Sequence, residues 1–205
     1  YYGHLSLSFG FAMPSPQIIA FDEDHCIASG DIVDVAVRVK QTLSNCPQSQ
    51  VLLFDLVSSR PVEIDFRGSV ADVTTRLKAS LEPQRGPGRP KLGVVAREVT
   101  LLPRHWEWLA AQPGGASVTL RKLIDEARRK TADKDEARER QESVHRFLSA
   151  IAGNKPHYED VLRALYAHDG ERFHTLIADW PTDVRSHLEW LTSDLFAEMR
   201  SAEVN

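Results

Sequence analysis

The sequence predicts an α+β protein: a small ββαββα N-terminal domain, a strand-helix-helix segment in the middle and a helical C-terminal domain. Three observations carry this. Up to Leu81, short apolar or alternating runs interleave with runs of helical spacing. A Pro- and Gly-rich basic stretch, 82–91, then interrupts all periodicity. Beyond Thr131 every apolar pattern has helical spacing. The 205 residues, 42% apolar and 26% charged, match an ordinary globular composition and hold one large or two small cores.

Residues 1–12 (YYGHLSLSFGFA) precede Met13 and lack the basic start of a secretory signal. They are read as a non-native or disordered leader. The α+β domain is placed at 13–82. Its first strand is the apolar run 17–21, followed by a polar turn at 22–25 and a returning strand at 26–29. Asp31 sits where a carboxylate caps a helix, and Ile32, Val35, Ala36, Val39 and Leu43 recur at helical spacing. Residues 51–54 read as a buried strand. Val62, Ile64 and Phe66 alternate with Glu63, Asp65 and Arg67, the pattern of a half-buried strand. Ser69 caps a helix through Val70, Val73, Leu77 and Leu81.

A basic linker at 83–92 follows, then the strand-helix-helix segment at 93–130. Its run 94–102 has strand character, and Pro103 suits the first helical position, where its missing N–H costs nothing. Trp106, Leu109 and Ala110 make one apolar helical face. Gly114 and Gly115 permit a tight reversal. Ser117 caps a second helix with Leu120, Leu123, Ile124 and Ala127 as its buried stripe. The helical domain is placed at 131–205. The mixed-charge run 131–142 extends the preceding helix or stands alone. Helices through Phe147, Leu162, Leu176 and Leu188 follow, with Trp180 and Trp190 as core anchors.

Charge isolates the middle segment. Residues 1–84 carry 6 basic and 10 acidic side chains, 85–130 carry 10 and 4, and 131–205 carry 9 and 15. The central +6 in a chain of net −4 is the footprint of a polyanion-binding surface, or of a solvated face. The order strand, Pro, helix, Gly-Gly, helix resembles the ribbon-helix-helix modules of bacterial repressors. That resemblance implies a dimer whose two-stranded ribbon enters the DNA major groove. It places Arg97 and Thr100 toward the groove and Ser117 at a DNA phosphate. The strand's faces do not alternate cleanly: Val95, Arg97, Val99 and Leu101 share one, Ala96, Glu98 and Thr100 the other. The preceding Gly88-Arg89-Pro90-Lys91 resembles an AT-hook core. That implies a minor-groove or phosphate role for Arg89 and Lys91, flanked by Arg85.

Other chemistries find little footing. No Gly-x-Ser-x-Gly, phosphate loop or dinucleotide fingerprint occurs, so no catalytic residue is singled out. The acids Asp22, Glu23, Asp24, Asp55, Glu63 and Asp65 read as turn and strand-edge carboxylates. His145, His157, His168, His174 and His187 lack metal-ligand spacing, so no metal and no cofactor is expected. Cys26 and Cys46 fit a reducing cytosol, and no run approaches the ~18 apolar residues of a membrane span.

The runs 88–129, 146–169, 177–187 and 21–40 closely resemble a bacterial family of unknown function, number 2239. The resemblance covers nearly everything after Met13, implies a bacterial cytosolic protein and brings no activity. The expectation is a homodimeric DNA-binding protein, a possible transcriptional regulator without catalytic or membrane role. The alternative is a non-catalytic protein-interaction or small-molecule-binding protein in which the strand-helix-helix segment serves only dimerisation.

Overall fold

The computed structural model describes residues 16–82, 95 and 97–202, with backbone alone at 133 and 197–202. Two compact units result: Tyr1–Leu81 with Arg140–Asn205, and Glu82–Glu139. The leader at 1–12 lies outside the described residues.

The first unit is built on a three-stranded antiparallel sheet of order β2-β1-β3, with β1 (Gln17–Asp22), β2 (His25–Asp31) and β3 (Val51–Asp55). β1 is apolar almost throughout because, as the central strand, it is buried on both faces. Period-two geometry divides its side chains. Ile18 and Ala20 join Leu53 and the Ile32, Val35 and Val39 face of α1 (Ile32–Asn45). Ile19 and Phe21 join Phe54 in a second cluster made largely by helices. Asp31 caps α1 as expected, its Oδ1 accepting the Val33 N–H at 2.7 Å.

α2 (Val70–Leu81) begins with a reciprocal cap. Ser69 Oγ accepts from the Asp72 N–H at 3.2 Å, and Asp72 Oδ2 accepts from the Ser69 N–H at 2.8 Å. The Ser69 hydroxyl, which donates to Asp72 Oδ2 at 2.7 Å, and then the Ser69 N–H hold the Asp72 carboxyl below its ordinary range. The chain leaves the other unit through α4 (Gly115–Ile151), whose last turns bring Val144, Phe147 and Leu148 into the helical cluster. α5 (Tyr158–Tyr166), α6 (Gly170–Leu176) and α7 (Thr182–Ala202) complete it with Val161, Leu165, Phe173, Val184, Leu188 and Leu195. Phe147 meets the edges of Phe21 at 5.2 Å and Phe54 at 5.7 Å, locking the sheet to this helical layer.

Three expectations change. The N-terminal 13–82 stretch and the C-terminal helices are not separate domains, because Ile19, Phe21 and Phe54 share one core with α4 to α7. The fourth strand does not form, so the order is ββαβα. After the Phe54–Pro61 bridge, 62–67 runs as irregular chain, although Val62, Ile64 and Phe66 are half-buried and their neighbours exposed. Alternating hydrophobicity was satisfied by packing against the α1 cluster; the Val62 N–H still donates to the Leu53 carbonyl of β3 at 2.9 Å, but no ladder continues beyond it among the described residues. Finally, the helix through Phe147 is the end of a single 37-residue α4, which begins at Gly115.

Candidate functional site

The Glu82–Glu139 unit carries the basic segment. Among its described residues, 95 and 97–102 form no strand; Val95, Arg97, Glu98, Val99, Thr100 and Leu102 are exposed and Leu101 is half-buried. The expected strand is therefore not formed among the described residues of the single chain. Leu102 is extended (φ −66°, ψ 149°), and Pro103 opens α3 (Pro103–Ala110) as its fixed φ favours. The His105 N–H donates to the Leu102 carbonyl at 2.9 Å, closing the first turn. Gly114 (φ +88°) and Gly115 (φ +72°) then reverse the chain in a conformation costly for other residues. The Gly115 N–H donates to the Gln112 carbonyl at 3.0 Å.

Ser117 does not cap the second helix. α4 already starts at Gly115, and Ser117 lies exposed in its first turn, its carbonyl accepting from Arg121 Nε at 3.0 Å. The apolar faces also differ from expectation. On α3 only Leu109 is buried, while Trp106 and Trp108 are exposed. On α4 Leu120 is half-buried, but Leu123, Ile124 and Ala127 are exposed, as is every residue from 121 to 130. The physical reason is cover: among the described residues no element shields these helical faces.

The sequence-predicted residues divide accordingly. Arg97 and Thr100 are exposed on the segment before α3, and Ser117 on the first turn of α4. Arg85, Arg89 and Lys91 lie outside the described residues. Arg104, Lys122, Arg128 and Arg129 add exposed positive charge on α3 and α4, while Lys130 is paired with Glu126 at 2.7 Å.

A second constellation, in the other unit, was not singled out from sequence. Asp183, His187 and Trp190 stand on one face of α7, at i, i+4 and i+7, beside Cys26 of β2 and Leu56 after β3. The Cys26 backbone N–H donates to Asp183 Oδ2 at 2.9 Å. Burial, and secondarily the Asp183 carboxylate, push the Cys26 thiol above its ordinary value. That keeps it protonated and a poor nucleophile. Burial also pushes His187 down to about 4, so the ring is neutral. Helical spacing of these three polar or amphipathic residues was the available signal. It was hidden because Trp190, expected in the core, is 48% exposed, whereas Trp180 is buried and donates Nε1–H to the Pro156 carbonyl at 3.0 Å.

Among the described residues no group of three His, Cys, Asp or Glu side chains could hold a metal ion. No described helix is long and apolar enough to cross a membrane. Both cysteines are free.

The fold thus defines a mixed α+β protein with a basic helical unit attached. Residues 17–192 match the family described as an uncharacterized protein conserved in bacteria (DUF2239), and the chain belongs to that family. No curated protein and no solved structure matches it.

Proposed function

We propose that this protein binds duplex DNA as a homodimer through the segment before α3 together with α3 and α4. The observation that carries the proposal is the uncovered apolar surface of the Glu82–Glu139 unit. Val95, Val99, Leu102, Trp106, Trp108, Leu123 and Ile124 are all exposed there, Ile124 at 55%. Seven large apolar side chains exposed within one unit call for a partner surface. A second copy of the same segment would supply the complementary elements: the run before α3, in no strand among its described residues, for strand pairing, and two helices with exposed apolar side chains for packing.

The charge of the segment, +6 over 85–130, then favours a polyanion on the face left open. In this reading Thr100 faces the major groove, and Arg97, on the opposite strand face, reaches toward the phosphates that border it. N–H groups of the first turn of α4 beyond Gly115, beside Ser117, hold a phosphate. Arg85, Arg89 and Lys91 track the minor groove or the phosphates. A role in transcriptional regulation follows from that binding mode, as a cytoplasmic protein.

The test is a salt titration of fluorescence anisotropy on a labelled duplex, with sedimentation measured in parallel. The expected result is a dimer whose log affinity falls linearly with log salt. An Arg89→Ala, Arg97→Ala double variant should bind more weakly, with the slope reduced by about one for each phosphate that is no longer neutralised. A dimer with no salt-dependent DNA affinity would sink the DNA reading and leave dimerisation as the segment's role.

A further inference from the structure

We infer that the cleft between β2 and α7 is a binding site for a small aromatic amine. It has a volume of about 390 Å³ and is bordered by Ile19, Cys26, Leu56, Asp183, His187 and Trp190. That is large enough for one ring and a short side chain. The site belongs wholly to the sheet-containing unit and stands independently of the DNA-binding proposal.

Two observations point to a ligand. His187 is 6% exposed, and among the described residues its Nε2 has no hydrogen-bond partner. Buried polar atoms in folded proteins are nearly always paired, so an unpaired one on a residue that lines a cleft marks a place where a small opening of the cleft lets a partner complete the structure. Trp190 is the second. Its indole stacks on the His187 ring at 5.7 Å with an interplanar angle of 11°, yet about half of the residue remains exposed at the cleft. Phe147 presses edge-on against His187 at 4.6 Å, fixing the ring that Trp190 stacks on. The indole is therefore a held aromatic surface, ready to stack a ring or attract a cation.

Charge selects among ring ligands. Asp183 supplies the one formal charge among the described side chains bordering the cleft, and it is negative. His25, 4.0 Å from Asp183 and largely exposed, adds positive charge only when protonated. Cys26 and His187 are neutral for the reasons given above. Ile19 and Leu56 provide apolar walls. A ring carrying a protonated amine satisfies these features: ring against Trp190, ammonium toward Asp183 with an N–H for His187 Nε2, apolar edge against Ile19 and Leu56. The same ring carrying a carboxylate meets Asp183 with like charge.

The experiment uses the full chain, isotope-labelled, with 2-phenylethylamine and phenylacetate as probes. The readouts are the Trp190 indole N–H and the His187 ring signals. The expected result is a saturable shift with phenylethylamine, with Kd on the order of 1 mM, and at least a roughly ten-fold weaker response to phenylacetate. Asp183→Asn should erase the difference between the two probes. Because Asp183 also accepts the Cys26 N–H, that variant is paired with Trp190→Ala, at an exposed position, which should abolish amine binding while the remaining spectrum stays native. Absence of saturation with the amine up to about 10 mM, equal response to both probes in the wild type, or unchanged binding in Trp190→Ala each overturns the inference.

Discussion

Ser59 and Ser143 share a buried hydrogen bond, Oγ to Oγ at 2.9 Å, that ties the loop after β3 to α4. The direction follows from proton counting. Ser143 Oγ donates its one proton to the Val57 carbonyl at 2.6 Å, so Ser59 is the donor toward Ser143. The loop is set up by Asp55, whose Oδ1 accepts from the Ser58 N–H and hydroxyl, and it places Ser59 in the left-handed region at φ +51°. Ser143→Ala leaves the buried Ser59 hydroxyl without this partner and frees the part-buried Val57 carbonyl. The expected loss is about 1–3 kcal/mol in urea unfolding. Adding Ser59→Ala to Ser143→Ala should cost less than the sum of the two single changes, because the orphaned donor is then gone. Strict additivity would show that the two hydroxyls are not coupled.

His187 predicts an acid-sensitive fold. Its folded value of about 4 lies below the ordinary 6.5 because burial penalises the imidazolium. Between those values the unfolded chain holds the extra proton and the native state does not. Stability contributed by the neutral ring is thus complete above about pH 6.5 and is lost as pH falls toward 4. The full difference is on the order of 3 kcal/mol. His187→Leu should flatten the dependence of Tm on pH across this window. An equally steep profile in the variant would assign the acid sensitivity to other groups.

Much of the first unit was legible because its signals are local. Asp31 and Ser69 cap the helices they were expected to cap, and the apolar face of α1 is the buried one. The run with Val62, Ile64 and Phe66 shows the limit of period-two reasoning. Alternation reports which side chains are covered, and here they are covered without a ladder. The shared core was not legible, since Phe21 meets Phe147 across a separation that no local pattern encodes. The misplacement of Ser117 has a different cause. Gly115 tolerates the left-handed turn itself, so α4 starts two residues before the serine. In the candidate site, apolar spacing on α3 and α4 was legible, but spacing identifies a face and not the surface that covers it. Trp190 was read as core for the same reason.

Gly170 predicts a steric limit at the start of α6. A Cβ there would sit 2.8 Å from Cγ of Phe196, a ring packed against Phe173 in the helical core. Phe196 is buried and cannot yield without disturbing that packing. Gly170→Ala should therefore destabilise by about 1–3 kcal/mol, although alanine is the better helix former. A Gly170→Ala, Phe196→Leu double variant makes room and should recover part of the loss relative to Phe196→Leu alone. A stabilised Gly170→Ala protein in thermal unfolding would refute the clash.

Leu123 and Ile124 test the dimer separately from DNA. Both lie on a stretch of α4 where every residue from 121 to 130 is exposed, so neither contributes to the core of its own chain. In a monomeric protein, Leu123→Glu with Ile124→Lys would be close to neutral for stability and leave net charge unchanged. In a dimer the same pair buries two charges in the interface, at a cost several times larger. The expected result is a monomer in sedimentation velocity, with the near-ultraviolet signature of the sheet-containing unit intact. DNA affinity should fall as well, because each half of the ribbon needs the other strand. If the variant sediments as the wild type does, the uncovered stripe has another partner and the ribbon is not formed by two copies of this chain.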